Sequence, residues 1–186
     1  MPLDTLLAFV LVLHGVMGGV DTLLNHEYLE RLPKRPEARR EIGLHSMREA
    51  IYAVLFAGLG WFAWHGAAAY VIAALVLAEV GVTTVDEWTE NRIRVLPQNE
   101  RVLHIFLTLN IGVIVALLVP TLAKWSDQPT SLVPADHGWP SWALLALAAA
   151  AAEWSVLDFV AWRRLGYRPP PLTNSSEARK SSMSFS

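Results

Sequence analysis

Residues 100–123 read Glu100-Arg101-Val102-Leu103-His104-Ile105-Phe106-Leu107-Thr108-Leu109-Asn110-Ile111-Gly112-Val113-Ile114-Val115-Ala116-Leu117-Leu118-Val119-Pro120-Thr121-Leu122-Ala123. A helix needs ~20 predominantly apolar residues to cross the hydrocarbon core of a bilayer, and this stretch supplies them. It opens on an acid and an imidazole four positions apart, which a helix places on one face, a turn from each other. The same Glu-x-x-Leu-His pattern occurs at Glu41-Ile42-Gly43-Leu44-His45, again where an apolar run begins. Ionisable groups at the edge of an apolar run are costly and point to function.

Working outward, four more segments are long and apolar enough to span: about 3–24, 46–64, 67–86 and 140–162, beside 102–123. The chain of 186 residues is 53% hydrophobic and 17% charged, with the charges gathered into a few stretches, which is the profile of an integral membrane protein. The expected fold is therefore all-α: a polytopic bundle of five transmembrane helices filling residues 1–168, followed by a disordered cytoplasmic tail at 169–186 rich in Pro, Ser and Asn. The first span carries His14 and Asp21 and lacks a basic leader, unlike a cleaved signal peptide. A net charge of −2 leaves no electrostatic footprint for nucleic acid, which is not an expected partner. The absence of cysteine excludes disulfides, thiolate metal sites and cysteine nucleophiles.

Basic residues set the expected orientation. They crowd the 25–43 loop (Arg31, Lys34, Arg35, Arg39, Arg40), the 87–101 loop (Arg92, Arg94, Arg101) and the segment after the fifth span (Arg163, Arg164, Arg168). The links on the other side, a short turn at Trp64-His65-Gly66 and a loop over 126–138, carry almost none. The positive-inside rule puts the N-terminus outside and the C-terminus in the cytoplasm. Arg in excess of Lys and abundant Ala suit a bacterial inner membrane. Trp61, Trp64, Trp125, Trp139 and Trp142 fall at the outer boundary and Trp88 and Trp162 at the inner one, as an aromatic belt does.

The first two helices can be laid over the third and fourth as a repeated hairpin. Asp21 matches Asp86, Leu32-Pro33 matches Leu96-Pro97, and Glu41 with His45 matches Glu100 with His104. Seven positions before each Asp stands another ionisable residue, His14 or Glu79, ~10 Å along the axis on the same face. Both hairpins run in one direction, so the repeat axis lies along the membrane normal. Asp21, Glu41, His45, Asp86, Glu100 and His104 then share one depth at the cytoplasmic end and are the expected metal ligands. His14, Glu49, Glu79, His26, Glu27, Glu87 and Glu90 are expected to support the site, replace a ligand or carry protons. Arg48 is placed to pair with Glu49 or Glu79, and Glu153 and Asp158 of the fifth helix to approach from the side.

Carboxylates and imidazoles without thiolate suit iron or manganese, with zinc possible. In ligand pattern the chain resembles the ferritin-like di-iron carboxylate bundles, in which two helices each give a Glu and two more each give Glu-x-x-His. Here Glu41 with His45 and Glu100 with His104 match the second part at a spacing of four rather than three. Asp21 or Glu27, and Asp86, Glu87 or Glu90, match the first. The resemblance covers about residues 10–110 and implies a pair of metal ions, iron foremost, activating dioxygen. The expected function is a membrane-embedded metal-dependent oxidoreductase that hydroxylates or desaturates a lipid-soluble substrate with the help of an electron-donor protein. Three other classes stay open at this stage: a proton-coupled transporter using His14, Glu49, Glu79 and Glu153, a haem-binding subunit with His45 and His104 as axial ligands, and a zinc-dependent hydrolase. The oligomeric state is not legible.

Overall fold

The computed structural model describes residues 5–166; the expected tail at 169–186 lies outside them. Five long helices account for most of the described chain. Helix α1 (Thr5–Val20) continues without a break into a π-helix, Asp21–Leu29. Arg31 then turns the chain with φ 53°, and two single-turn 3-10 segments, Leu32–Lys34 and Pro36–Ala38, lead into α2 (Arg39–Trp61). Helix α3 covers Ala68–Ile93, α4 Gln98–Ser126 and α5 Trp139–Leu165.

Four of these helices are long and apolar enough to cross a membrane: Thr5–Leu29, Ala68–Ile93, Gln98–Ser126 and Trp139–Leu165. Their outward faces carry Leu6, Phe9 and Leu13, Leu77, Phe106 and Leu109, and Val156 and Leu157, all exposed and suited to lipid. Helix α2, expected as the second span over 46–64, has the length but carries Arg39, Arg40, Glu41, Arg48 and Glu49. Of these, Glu41 is buried among its neighbours and Arg39, Arg48 and Glu49 are half-buried, while Arg40 is exposed. Helix α2 packs along α5, where Ser46 Oγ donates to the Ser155 carbonyl (2.9 Å) and Ser155 Oγ returns the bond to the Ser46 carbonyl (2.8 Å). Small residues allow the approach: a Cβ at Gly43 would stand 2.9 Å from Trp162, and one at Gly60 3.2 Å from Leu144.

Two apolar clusters bracket the polar layer. The larger, around Leu11, Leu55, Leu59, Ile72, Ile114, Leu118 and Leu144, fills the end where Trp61 stacks edge-on against Trp142 and Phe9 against Trp139. The smaller, Leu32, Ala38, Ile42 and Ala161, closes the other end. The 126–138 loop is not irregular throughout: Ser131–Pro134 (β2) pairs antiparallel with Phe62–His65 (β1), tying it to the link between α2 and α3. That link turns at Gly66, φ 58°, against Thr130.

The helices outrun the hydropathy-defined spans at the polar end. Helix α3 continues two turns beyond residue 86, so the expected loop over 87–101 shrinks to Arg94–Pro97, and Glu87 and Glu90 stand on a helix. Helical bonding runs on to Ile93, and the extended backbone at Arg94, ahead of Pro97, ends it.

Candidate metal centre

The site begins with the π-helix. Its i→i+5 bonding, seen where the Glu30 amide donates to the Asn25 carbonyl at 2.8 Å, adds about one residue to each turn. In an α-helix Asp21 would share its face with Asn25 and turn His26 away. Wound wider, the segment buries Asp21, Asn25 and His26 together. Asn25 Nδ2 donates to Asp21 Oδ1 (2.7 Å), and Asn99 Nδ2 donates to Asn25 Oδ1 (2.7 Å), so the start of α4 fixes the aspartate.

Each aspartate meets a histidine from the opposite half of the chain. His104 Nε2 lies 3.1 Å from Asp21 Oδ2, and His45 Nε2 lies 3.0 Å from Asp86 Oδ2. Glu90, a turn beyond Asp86, stands between them: Oε1 is 3.5 Å from His45 Nε2 and Oε2 is 3.6 Å from His104 Nδ1. Glu87 Oε1 lies 2.9 Å from the same His104 Nδ1. His26 Nε2 sits 3.4 Å from Asp21 Oδ2 and 3.5 Å from Glu100 Oε1, and its ring stacks on His45 with centroids 4.4 Å apart. Asp21, His26, His45, Asp86, Glu90, Glu100 and His104 are all buried.

Ligand atoms converge in three overlapping groups: Asp21, His26, Glu100 and His104; His26, His45 and Glu90; and Glu87, Glu90 and His104. Glu41 and Asp86 fall in none of them, although Asp86 remains in contact with His45. Glu41 is held instead by Arg94, whose Nη2 donates to Glu41 Oε1 (2.7 Å) and whose Nη1 donates to Glu100 Oε2 (2.8 Å). Burial works against the Arg94 charge, yet these two carboxylates outweigh it and hold the guanidinium above its ordinary range. Burial pushes the Glu41 carboxyl up, against the pull of Arg94. A second guanidinium, Arg48, does not pair with Glu49 or Glu79 as expected; its Nη1 donates to Asp86 Oδ2 at 3.1 Å.

Many of these atoms lie close without bonding to one another. His26 Nε2, His45 Nε2, His104 Nδ1, Asp86 Oδ1, Glu41 Oε2 and both oxygens of Glu90 are buried and have no hydrogen-bond partner. Buried polar atoms are normally satisfied, and several of these lie within metal-binding distance of one another. Two ligands each about 2.1 Å from one ion stand about 3.0 Å apart at a right angle and about 3.4 Å apart at the tetrahedral angle. The His26 and His45 nitrogens approach their carboxylate oxygens at 3.0–3.5 Å, out of line for a hydrogen bond, as atoms aimed at a common centre do. The donor set, imidazole and carboxylate, fits a divalent first-row metal.

The remaining candidates stand apart from this group. His14 lies deeper, where Asn110 Nδ2 approaches its Nδ1 at 3.1 Å. Glu79 accepts from Tyr52 and Thr83, both at 2.8 Å. Glu49 is half-buried near the buried Asp158, while Glu27 and Glu153 are exposed. His14, Glu49 and Glu79 instead line a cavity of about 160 Å³ among all five helices, which Glu87 and His104 of the polar group also line. Sequence reading gave Asn25, Asn99 and Tyr52 no role at the site and took Arg94 only as a charge of the basic loop. Tyr52 was within reach, because it stands three residues, about one turn, beyond Glu49 on α2.

No protein-family model matches the chain, and no curated protein or solved structure matches it.

Proposed function

We propose that this chain is a membrane-embedded enzyme with a two-metal centre, iron foremost, that oxidises a lipid-soluble substrate. The observation that carries the proposal is the charge at the centre. Asp21, Glu41, Asp86, Glu87, Glu90 and Glu100 bring six carboxylates against the two guanidiniums of Arg48 and Arg94. The four negative charges left over equal the charge of two divalent ions. Protonated histidines are a poorer answer. His26 and His45 stack face to face, so only one of them can carry a proton without strong repulsion, and with His104 that supplies at most two positive charges against the four negative ones.

Asp21, His26, Glu100 and His104 would hold one ion, and His45 and Glu90 with Asp86 the other, His26 and Glu90 lying between. The reciprocal pairs Asp21 with His104 and Asp86 with His45 support the repeated hairpin, with α2 as a fifth span inside the bundle. An iron pair of this type supplies dioxygen activation. Hydroxylation balances as substrate, O₂, two electrons and two protons giving the alcohol and water; desaturation releases two waters instead. The electrons come from a donor protein on the cytoplasmic side, where the polar end of the bundle lies when the N-terminus is outside. The chain's own residues fix the ions, exclude bulk water and present the cavity beside His104 to a substrate from the bilayer.

The test is metal analysis of protein purified from metal-replete cells, paired with mass spectrometry of lipids from cells with and without it. The expected result is about two iron per chain and a lipid that gains one oxygen or loses two hydrogens only with dioxygen present. Less than one metal of any kind per chain overturns the proposal. Zinc at the same stoichiometry replaces oxidation with metal-assisted hydrolysis.

A further inference from the structure

The cavity beside the polar group has its own polar anchor. Glu79 is 2% exposed, and one carboxylate oxygen accepts from both Tyr52 and Thr83. The other, Oε2, is buried without any partner. A carboxylate oxygen two helical turns inside a span, on a residue that lines a cavity with mostly apolar walls, is a costly arrangement unless a donor reaches it. Behind His14, which lines the same cavity, Asn110 Nδ2 donates to the Val10 carbonyl, which sets the amide orientation, and the same nitrogen faces His14 Nδ1. His14 Nδ1 is therefore the acceptor and Nε2 carries the proton.

The size of the space limits what enters. A cavity of roughly this volume holds one six-membered ring. The wall is lowest at Gly18 and Gly19, where an added Cβ would meet nothing within 4 Å, and Gly19 is also exposed on the outer surface of α1. A hydrocarbon chain attached to the ring leaves past these glycines into lipid. We infer that this cavity binds the hydroxyl-bearing ring of a lipid-soluble molecule, its hydroxyl donating to Glu79 Oε2 and its chain passing Gly18 and Gly19. That such a molecule is the substrate rests on the proposed function; the binding itself needs no metal.

The test is calorimetric titration of the full chain in lipid nanodiscs, with empty nanodiscs subtracted, using para-cresol, para-xylene and para-methylbenzylamine. Para-cresol should bind at least about tenfold tighter than para-xylene, in which a methyl group of similar size stands in place of the hydroxyl. In Glu79→Gln the amide oxygen still accepts from Tyr52 and Thr83 while its NH₂ replaces the orphan acceptor, so the preference should collapse to within a few-fold. Gly18→Leu has room for its Cβ and fills the cavity, so all three probes should lose binding while metal content stays as in the parent. Equal binding of para-cresol and para-xylene overturns the inference. So does a preference that survives in Glu79→Gln, or tighter binding of para-methylbenzylamine. Metal is measured on the same samples: a metal-free protein that prefers para-cresol keeps this site and sinks the metal centre, and a metal-loaded protein without the preference does the reverse.

Discussion

Replacing Arg94 with Met tests how the polar layer is held. Arg94 is 9% exposed in its side chain and bonds to Glu41 and Glu100, whose side chains are fully buried. Met keeps the aliphatic stem and removes the charge. Breaking a buried ion pair from one side costs about 3–5 kcal/mol, because the partner charges stay behind without compensation. That is roughly a 10²–10⁴-fold change in the unfolding equilibrium. The loss should depend on pH. Burial and the nearby Glu90 raise the Glu41 carboxyl, and Arg94 opposes them; without Arg94 it rises further. A carboxyl whose folded pKa exceeds its unfolded value destabilises the fold progressively as pH climbs from the unfolded value to the folded one. Arg94→Met should therefore be closer to the parent at pH 5 than at pH 8. Unfolding by steric trapping in micelles at both pH values measures this. Equal stability of variant and parent at pH 8, or a variant that gains on the parent as pH rises, would show that Arg94 is not what compensates Glu41 and Glu100.

Other outcomes follow from the same geometry. His45→Ala should lose about one of two ions, whereas Glu90→Ala, whose oxygens face both His45 and His104, should lose both by elemental analysis. Stripping metal with a chelator should lower the melting temperature, and restoring it should raise it again, because an ion bound only by the folded state stabilises that state. Gly43→Ala places a Cβ 2.9 Å from Trp162, whose ring lies against Arg39, and should cost about 1–3 kcal/mol. Combining it with Trp162→Leu should cost less than the sum of the two, read from thermal unfolding in detergent. A reporter fused after residue 166 should be active in the cytoplasmic form only if the basic loops face inward.

What could be read from the sequence was what depends on composition over a window or on fixed helical spacing. The apolar runs located four membrane-competent helices, and the four-residue step brought His45 and His104 to the polar layer with Asp86 and Asp21. What depends on departures from regular geometry was hidden. His26 lies on nearly the opposite side from Asp21 in an α-helix, and only the π-winding brings them together. Glu87 and Glu90 lie past the point where hydropathy falls, although the helix does not end there. Arg94 reads as one more positive-inside charge, and nothing local reveals that Glu41, 53 residues away in sequence, is its partner. Arg48 could have paired with an acid on its own helix or the next, and only the packing of α2 on α3 selects Asp86.

The most direct measurement is an anomalous difference map collected across the iron, manganese and zinc edges from crystals of metal-replete protein. Two bound ions should give two peaks about 4 Å apart. One should lie among Asp21, His26, Glu100 and His104, and the other beside His45 and Glu90. A map with no peak there, and with the same side chains paired only to Arg48, Arg94 and one another, would show that the layer is an ion-pair network and not a metal centre.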